Sequence, residues 1–394
     1  MTTNLQIEIR DSLAEIEVDA WNGLSVDGNP FLRHEFLHSL QTTGCLGEAT
    51  GWYPRYFLLW LETEAGNELI AAVPTYLKTN SYGEFVFDWA WAEAYEKNQL
   101  DYYPKLVSSI PFTPATGRRL LIRADQPFEE TLELLSSAIR QYADGEEFSG
   151  VHYLFVTKAE SDALTETDHL KRMDCQYHWQ NDDYADFDDF LSRCTSKRRK
   201  TIRRERRHVH DAGLRVEQRL GDTLSEKEWR WVHRFYQSTF DRKWGNPSLT
   251  QDFFERVGRL MGKNMFIVFA YDETDEQPEW PVACSIMFIG ETTLYGRFWG
   301  CRAEYNSLHF EACYYQGIEF CISNNIQSFE PGAQGEHKIT RGFVPTLTYS
   351  AHHIKHPGFR DAIAKYLDQE CRHVELRCTG LNDLLPFKSV PISL

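Results

Sequence analysis

The spacing of apolar positions divides the chain into strands and helices in a recurring order. LQIEIRD, from Leu5, alternates apolar and polar residues and predicts a strand. DAWNGL predicts a short helix, and NPFLRHEFLHSLQTTG predicts a capped helix ending at Gly44. YPRYFLLWLE, ELIAAVPTYLK and EFVFDWAW then read as three strands. PFEETLELLSSAIRQYA places Leu132, Leu135 and Ile139 at helical spacing, and VHYLFVTK is the strand after it. The order then starts again. LRVEQRL predicts a strand, and LSEKEWRWVHRFYQSTF and SLTQDFFERVGRLM predict helices. MFIVFAYD, VACSIMFIG and TLYGRFWG predict strands, LHFEACYYQGIEFCIS a helix and IQSFEPG a further strand. The halves share element order without a sequence repeat. Between them, Asp182 to Asp211 has no Pro or Gly and predicts a charged helix rather than a loose linker.

Composition narrows the class. A chain of 394 residues is long for one core and implies two domains. A net charge of −16 argues against general binding to nucleic acid or anionic membranes, while leaving room for a local basic site. Nine cysteines, an odd number without a CxxC pair, fit reduced thiols in a cytoplasm better than a disulfide framework. MTTNLQIEIRDSL carries charges where a signal peptide has an apolar run, and no apolar stretch approaches membrane-spanning length.

The stretches NPFLRHEFL, GWYPRYFLL, SYGEFVFDWAWAEAY, YYPKLVSSIPFTPATG, SKRRKTIRRERR, DRKWGNPSLT, LYGRFWGC, LHFEACYYQGIE and GAQGEHKITRGF occur in one order between Asn29 and Lys388. In this the chain resembles the FemAB-like family of N-acyltransferases, also labelled peptidoglycan biosynthesis or recognition proteins. The resemblance implies an α/β (α+β) fold of two tandem GNAT-like domains (the acetyltransferase fold), each a mixed, mostly antiparallel sheet flanked by helices. The expected division is an N-terminal domain over 1–185, a basic connecting helix over 186–212, and a C-terminal domain over 213–394 carrying the active site. The implied activity is amide formation between an activated acyl or aminoacyl donor and an amine, in a ternary complex and on a peptide or cell-wall precursor. The alternative is a recognition protein that kept the fold without catalysis.

Amide formation needs a neutral amine, a donor to the developing oxyanion and proton transfer to the leaving group. In TLYGRFWG, strict alternation sets Tyr295, Arg297 and Trp299 on one face and Phe298 on the other, with Gly296 and Gly300 permitting close backbone approach. Ser307 is the expected N-cap of the next helix, placing His309 and Glu311 in its first turn, with Glu311, Tyr315 and Glu319 on one face. Glu311 then either deprotonates the amine or stabilises the helix dipole.

GAQGEHKITRGF sets Glu336, His337, Lys338 and Arg341 among glycines. Glu336 or His337 is the candidate general base, with Glu311 and Tyr295 the other catalytic candidates. Lys338 and Arg341 are candidate phosphate or carboxylate ligands, and Arg297, Trp299 and His309 are further candidate substrate-binding residues. Asp241, Arg242, Lys243 and Trp244 are a candidate substrate wall or a plain helix terminus. Asp88, Tyr103 and Lys105 line an acceptor groove or pack a domain junction.

The pyrophosphate loop of GNAT proteins, Arg/Gln-x-x-Gly-x-Gly/Ala, is missing after Gly300, where no glycine follows until Gly317. Acyl-CoA as donor is thereby in question; the Fem enzymes lack the loop too and use aminoacyl-tRNA. Lys197–Arg207 holds eight Lys/Arg and one Glu, either an ion-paired helix or a phosphate or tRNA contact. HVH at 208–210 and AHHIKH at 351–356 lack partners at metal-ligand spacing, so no metal is expected.

Overall fold

The computed structural model describes residues 4–24, 26, 28–241, 247–333 and 335–388. Fifteen strands occur among them: β1 Leu5–Arg10, β2 Trp52–Pro54, β3 Tyr56–Thr63, β4 Gly66–Val73, β5 Thr75–Lys78, β6 Lys105–Ser108, β7 Leu121–Ile122, β8 Gly150–Val156, β9 Leu170–Gln180, β10 Leu214–Leu220, β11 Met265–Asp272, β12 Pro281–Ile289, β13 Thr293–Cys301, β14 Ser328–Glu330 and β15 Val344–Ile354. The chain divides into two compact units. The first comprises Met1–Cys175 and Leu347–Leu376, the second Gln176–Thr346 and Arg377–Leu394.

In the first unit, β1-β3-β4-β7 form an antiparallel sheet, and β15-β8-β6-β5-β2 lie side by side in a second set. β6 and β8 run parallel over three residue pairs, Leu106↔Val151 to Ser108↔Tyr153. The helix Phe128–Gly145 buries Leu132, Leu135 and Ile139 against Phe57, Leu59, Ile70 and Tyr153. Each such side chain contributes about 1.5–3 kcal/mol when fully buried. The next helix, Lys158–Glu166, starts on a capping box in which Thr157 and Glu160 satisfy each other's backbone N–H groups.

EFVFDWAW is not a strand. Phe85 has φ 61, outside extended backbone, and a helix begins at Trp89. The polarity of this segment is inverted: Glu84 and Asp88 are buried, whereas Tyr82, Phe85, Phe87 and Trp89 are exposed. The reason is Lys105, fully buried on β6, whose ammonium donates to Glu84 Oε2 at 2.8 Å, to Ser81 Oγ at 3.0 Å and to Asp88 Oδ2. A buried ion must be paired, and these carboxylates turn inward to do it. Burial pushes the Glu84 carboxyl up to about 7 against the pull of Lys105.

The second unit orders its strands β10-β11-β12-β13-β14-β9. All neighbours are antiparallel except β13 and β14, which pair in parallel from Thr293↔Ser328 to Tyr295↔Glu330, where β14 ends. The helices Glu226–Asp241 and Gln251–Met261 follow β10 as their periodicity predicts, the second capped by Thr250 Oγ1 on the Phe253 N–H at 3.2 Å. The charged stretch after Asp182 is helical over Phe187–Arg193 and Ser196–Asp211. The strands β6, β7, β9 and β15 and the helices Trp89–Lys97, Lys158–Glu166 and Pro357–Leu381 lie outside the predicted set. No helix among the described residues is long and apolar enough to cross a membrane.

Lys105→Met strands two buried carboxylates, so we expect a loss of about 3–5 kcal/mol in denaturant unfolding. A loss below about 1 kcal/mol would contradict the pairing described here.

Candidate active site in the second unit

Strict alternation fails in β13. Ile286 pairs with Phe298 and Met287 with Gly296, so Arg297 is an extra, bulged residue. The insertion reverses the faces beyond it: Phe298 falls on the Tyr295 face and Trp299 on the opposite one. Phe298 packs on Tyr236 and Phe254, its ring 4.8 Å from that of Tyr236, while Trp299 meets the His309 ring at 5.5 Å. Gly300 does permit close approach, but to the protein itself: a Cβ there would sit 2.0 Å from the Phe235 carbonyl oxygen.

Ser307 holds the N-cap position as expected, with its carbonyl accepting from the Phe310 and Glu311 N–H groups, but it adopts φ 67 and its side chain makes no capping bond. The helix it precedes runs Leu308–Phe310, widens to a π-turn over Glu311–Tyr315 and resumes as Gln316–Ser323. The π-turn brings residues five apart together, and Gln316 Nε2 donates to Glu311 Oε1 at 2.7 Å. Glu311 is buried, and its oxygens accept from Arg206 Nε and Nη2 at 3.1 and 3.0 Å. Arg206 reaches Glu319 as well, at 2.7 and 3.0 Å. Burial raises the Glu311 carboxyl while Arg206 opposes the rise.

Arg341 is likewise engaged internally. Its guanidinium donates to both oxygens of buried Glu205, at 2.6 and 3.1 Å, and to the His337 carbonyl at 2.8 Å. Tyr315 Oη donates to the same Glu205, and the Arg341 plane lies 3.4 Å over the Phe310 ring. The carboxylate expected of a substrate is thus supplied by the protein. Glu336 turns outward to Arg377 at 2.6 Å, with both side chains exposed.

Lys338 differs from these. It is buried, and its ammonium donates to the Gly332 and Ala333 carbonyls at 2.6 and 3.4 Å. No carboxylate among the described residues pairs with it. Burial pulls the amine down to about 8, only partly opposed by Cys313. The carbonyls it grips follow Glu330, where the parallel β13–β14 pairing stops. His178, a buried residue of β9, has its Nδ1 3.9 Å from Glu330 and its Nε2 3.2 Å from Gln176 Oε1. Burial first, and then Lys338, hold His178 at about 3, so it is neutral near pH 7. Burial lowers the Arg297 guanidinium to about 10, leaving it charged at neutral pH.

His337, next in the chain, is exposed and shares a 2.9 Å hydrogen bond between Nε2 and Tyr314 Oη. Burial, Arg341 and Lys338 lower its pKa, and its ring lies 6.3 Å from that of His309. Gly335 makes room for it, with φ 107 and a virtual Cβ 2.7 Å from the imidazole.

The structure therefore gathers Trp299, His309, His337, Lys338 and Arg341, sets Glu336 apart and locks Glu311 in a salt bridge. Tyr295 is 6% exposed, on the opposite strand face from Trp299. Asp88, Tyr103 and Lys105 lie in the buried cluster of the first unit, with Tyr103 Oη 2.8 Å from Ser81 Oγ. Arg242, Lys243, Trp244 and the Asp241 side chain lie outside the described residues. His178, Gln176 and Glu330 were not singled out as site residues in the sequence. The available signal was a pair of polar residues two apart in QYHWQ, on one face of an otherwise aromatic strand.

On the basic helix, Arg203 pairs with Asp188 at 2.9 Å and Arg206 with the two glutamates. Lys197, Lys200, Arg204 and Arg207 are exposed, and no ion pair occupies them among the described residues. No group of three or more His, Cys, Asp or Glu residues is disposed to hold a metal among the described residues.

This architecture defines a two-unit protein in which each unit contains a parallel strand pair. A FemAB-like family model, described as peptidoglycan biosynthesis/recognition, matches residues 12–389, and the chain belongs to that family. The crystal structure of FemX is similar with a TM-score of 0.50 at 9% identity, covering 84% of this chain and 94% of FemX. A conserved protein of unknown function from Bacteroides thetaiotaomicron is similar with a TM-score of 0.50 at 10% identity, covering 88% of this chain and 99% of that one. At such identities the likeness is one of fold: mostly antiparallel sheets flanked by helices. No curated protein sequence matches the chain.

A double-mutant cycle on Glu205→Gln and Arg341→Met should return a coupling of about 2–3 kcal/mol in unfolding experiments. Additive effects would mean that the bidentate contact does not organise this segment.

Proposed function

We propose that the chain is an N-acyltransferase that joins an activated acyl or aminoacyl donor to an amine, with Lys338 as donor to the oxyanion. The observation that carries this reading is the buried Lys338 ammonium. It has three N–H donors, two directed at backbone carbonyls, and no carboxylate among the described residues neutralises it. Such a cation is costly in the resting protein and becomes favourable when negative charge develops beside it. His337, held by Tyr314 and neutral at pH 7, is the base.

The amine lone pair attacks the donor carbonyl, forming the C–N bond and moving the carbonyl π pair onto oxygen beside Lys338. The amine proton passes to the free nitrogen of His337. Collapse breaks the C–O bond of an aminoacyl ester or the C–S bond of a thioester, and the imidazolium returns its proton to the leaving atom. Trp299, His309 and Phe310 supply an aromatic wall for the bound carbonyl. Arg341 and Glu311 act as positioning residues through their internal ion pairs.

The exposed face of Lys197, Lys200, Arg204 and Arg207 supports a donor that carries a phosphate chain, which favours aminoacyl-tRNA over acyl-CoA. A recognition protein on the same fold is the second reading. What favours it is that Glu311, Glu336 and Arg341 are all engaged in internal ion pairs.

Lys338→Met should lower kcat by about 10²–10³-fold with substrate binding largely kept. The folded amine, at about 8, lies below its ordinary 10.5, so the ammonium is present below pH 8 and lost above it. Turnover should fall as pH rises through about 8, and Lys338→Arg should move that limb upward. No turnover with either donor class under any of these conditions would leave the recognition reading. Lys200→Glu with Arg204→Glu should weaken an RNA-bearing donor at least tenfold and lower the log–log salt slope by about 1 per lost contact. An unchanged salt slope would remove the helix from the donor site.

A further inference from the structure

The first unit contains a cleft of about 110 Å³ that the transferase reading does not use. Three elements line most of it. β9 contributes Arg172, Met173 and Asp174, and β15 contributes Thr348, Tyr349 and Ser350. The helix Pro357–Leu381 contributes Glu370 and Val374, one turn apart. Phe155 and Met173 join Thr348 and Ser350 as its buried lining, and the segment Phe85–Phe87 forms a further wall.

The charges are not balanced. Arg172 is fully engaged as a cation: Nε and Nη2 donate to the two Glu370 oxygens at 2.7 and 2.9 Å, and Nη1 donates to the Phe87 carbonyl at 2.9 Å. That bidentate pair leaves no net charge. Asp174 is exposed, its Oδ1 accepts from the Cys175 N–H at 2.7 Å, and no cation among the described residues pairs with it. The lining therefore carries one uncompensated carboxylate beside an apolar and aromatic surface of Phe85, Phe87, Phe155, Met173 and Val374.

The size of the cleft limits the ligand further. At about 30 Å³ per water it holds about four water volumes, well below the roughly 300–1,000 Å³ of a site for a whole cofactor or drug-sized molecule. A nucleotide or coenzyme is too large and has the wrong sign of charge. A chain of about four or five heavy atoms fits.

We infer that this cleft binds a primary ammonium on a short aliphatic chain. The cation lies against Asp174 and donates a further hydrogen bond to Glu370, and the methylene stem packs on Phe155, Met173 and Val374. Burying methylenes contributes about 0.8 kcal/mol each, and the attraction to Asp174 selects the charge. This inference is independent of the amide-forming reading, because it involves neither Lys338 nor His337.

Methyl NMR of the full chain tests it, with n-butylammonium, 1-butanol and butyrate as probes and Met173 and Val374 as reporters. Butylammonium should shift both methyl signals saturably, with 1-butanol and butyrate binding at least tenfold more weakly. Asp174→Asn, at an exposed position, should weaken butylammonium at least tenfold, and Lys338→Met should leave it unchanged. Equal binding of butanol would overturn the inference by showing apolar filling without charge selection. Preference for butyrate would overturn it by making Arg172 the anchor. Absence of saturable shifts, or unaltered affinity in Asp174→Asn, would overturn it as well.

Discussion

Glu205 sits in the helix Ser196–Asp211, 8% exposed, where its charge requires a partner. It finds two, the fork of Arg341 and the Tyr315 hydroxyl. Three stretches distant in sequence are joined by that one carboxylate: the basic helix, the π-turn, and the short helix Glu336–Arg341. The neighbouring residue repeats the device, with Arg206 holding Glu311 at the start of the π-turn and Glu319 in the helix that follows it. Since each ion is satisfied only in this arrangement, the loop carrying His337 and Lys338 has little freedom to relax.

Against that background the amine of Lys338 is the exception. Every other buried cation in the segment meets a carboxylate, whereas this one meets backbone carbonyls. An ammonium so placed is held out of equilibrium with its preferred surroundings by the rest of the fold. Binding sites for developing negative charge are built in this way, with the donor oriented before the charge arrives. The buried cluster in the first unit shows the opposite case. There Lys105 meets two carboxylates, and its neighbours are turned inward to satisfy it.

Element order was legible in the sequence because long periodic segments report their own faces. The helices from Phe128, Glu226 and Gln251 and the strands β10 to β13 follow their apolar spacing. What was not legible involved single-residue departures from regular period. One extra residue at Arg297 reverses the faces of β13 beyond it, and composition carries no mark of the insertion. The π-turn changes which residues meet along LHFEACYYQGIE, so that Glu311 finds Gln316 rather than acting as a first-turn charge. EFVFDWAW has the alternation of a strand, but its carboxylates point inward because of a lysine 17 residues beyond Asp88. Of the charged cluster in GAQGEHKITRGF, the sequence revealed the density and not the roles. Arg341 and Glu336 are balanced by side chains far away in the chain, and only coordinates reveal which cation is left without a counterion.

The central claim is therefore about the charge state of one amine. It is tested most directly by the pH titration of the Lys338 side chain followed by NMR at its Cε. The account predicts a midpoint near 8, as burial without a carboxylate requires. A midpoint at or above the ordinary 10.5 would mean that the ammonium is solvated or paired, and would contradict the role given to it.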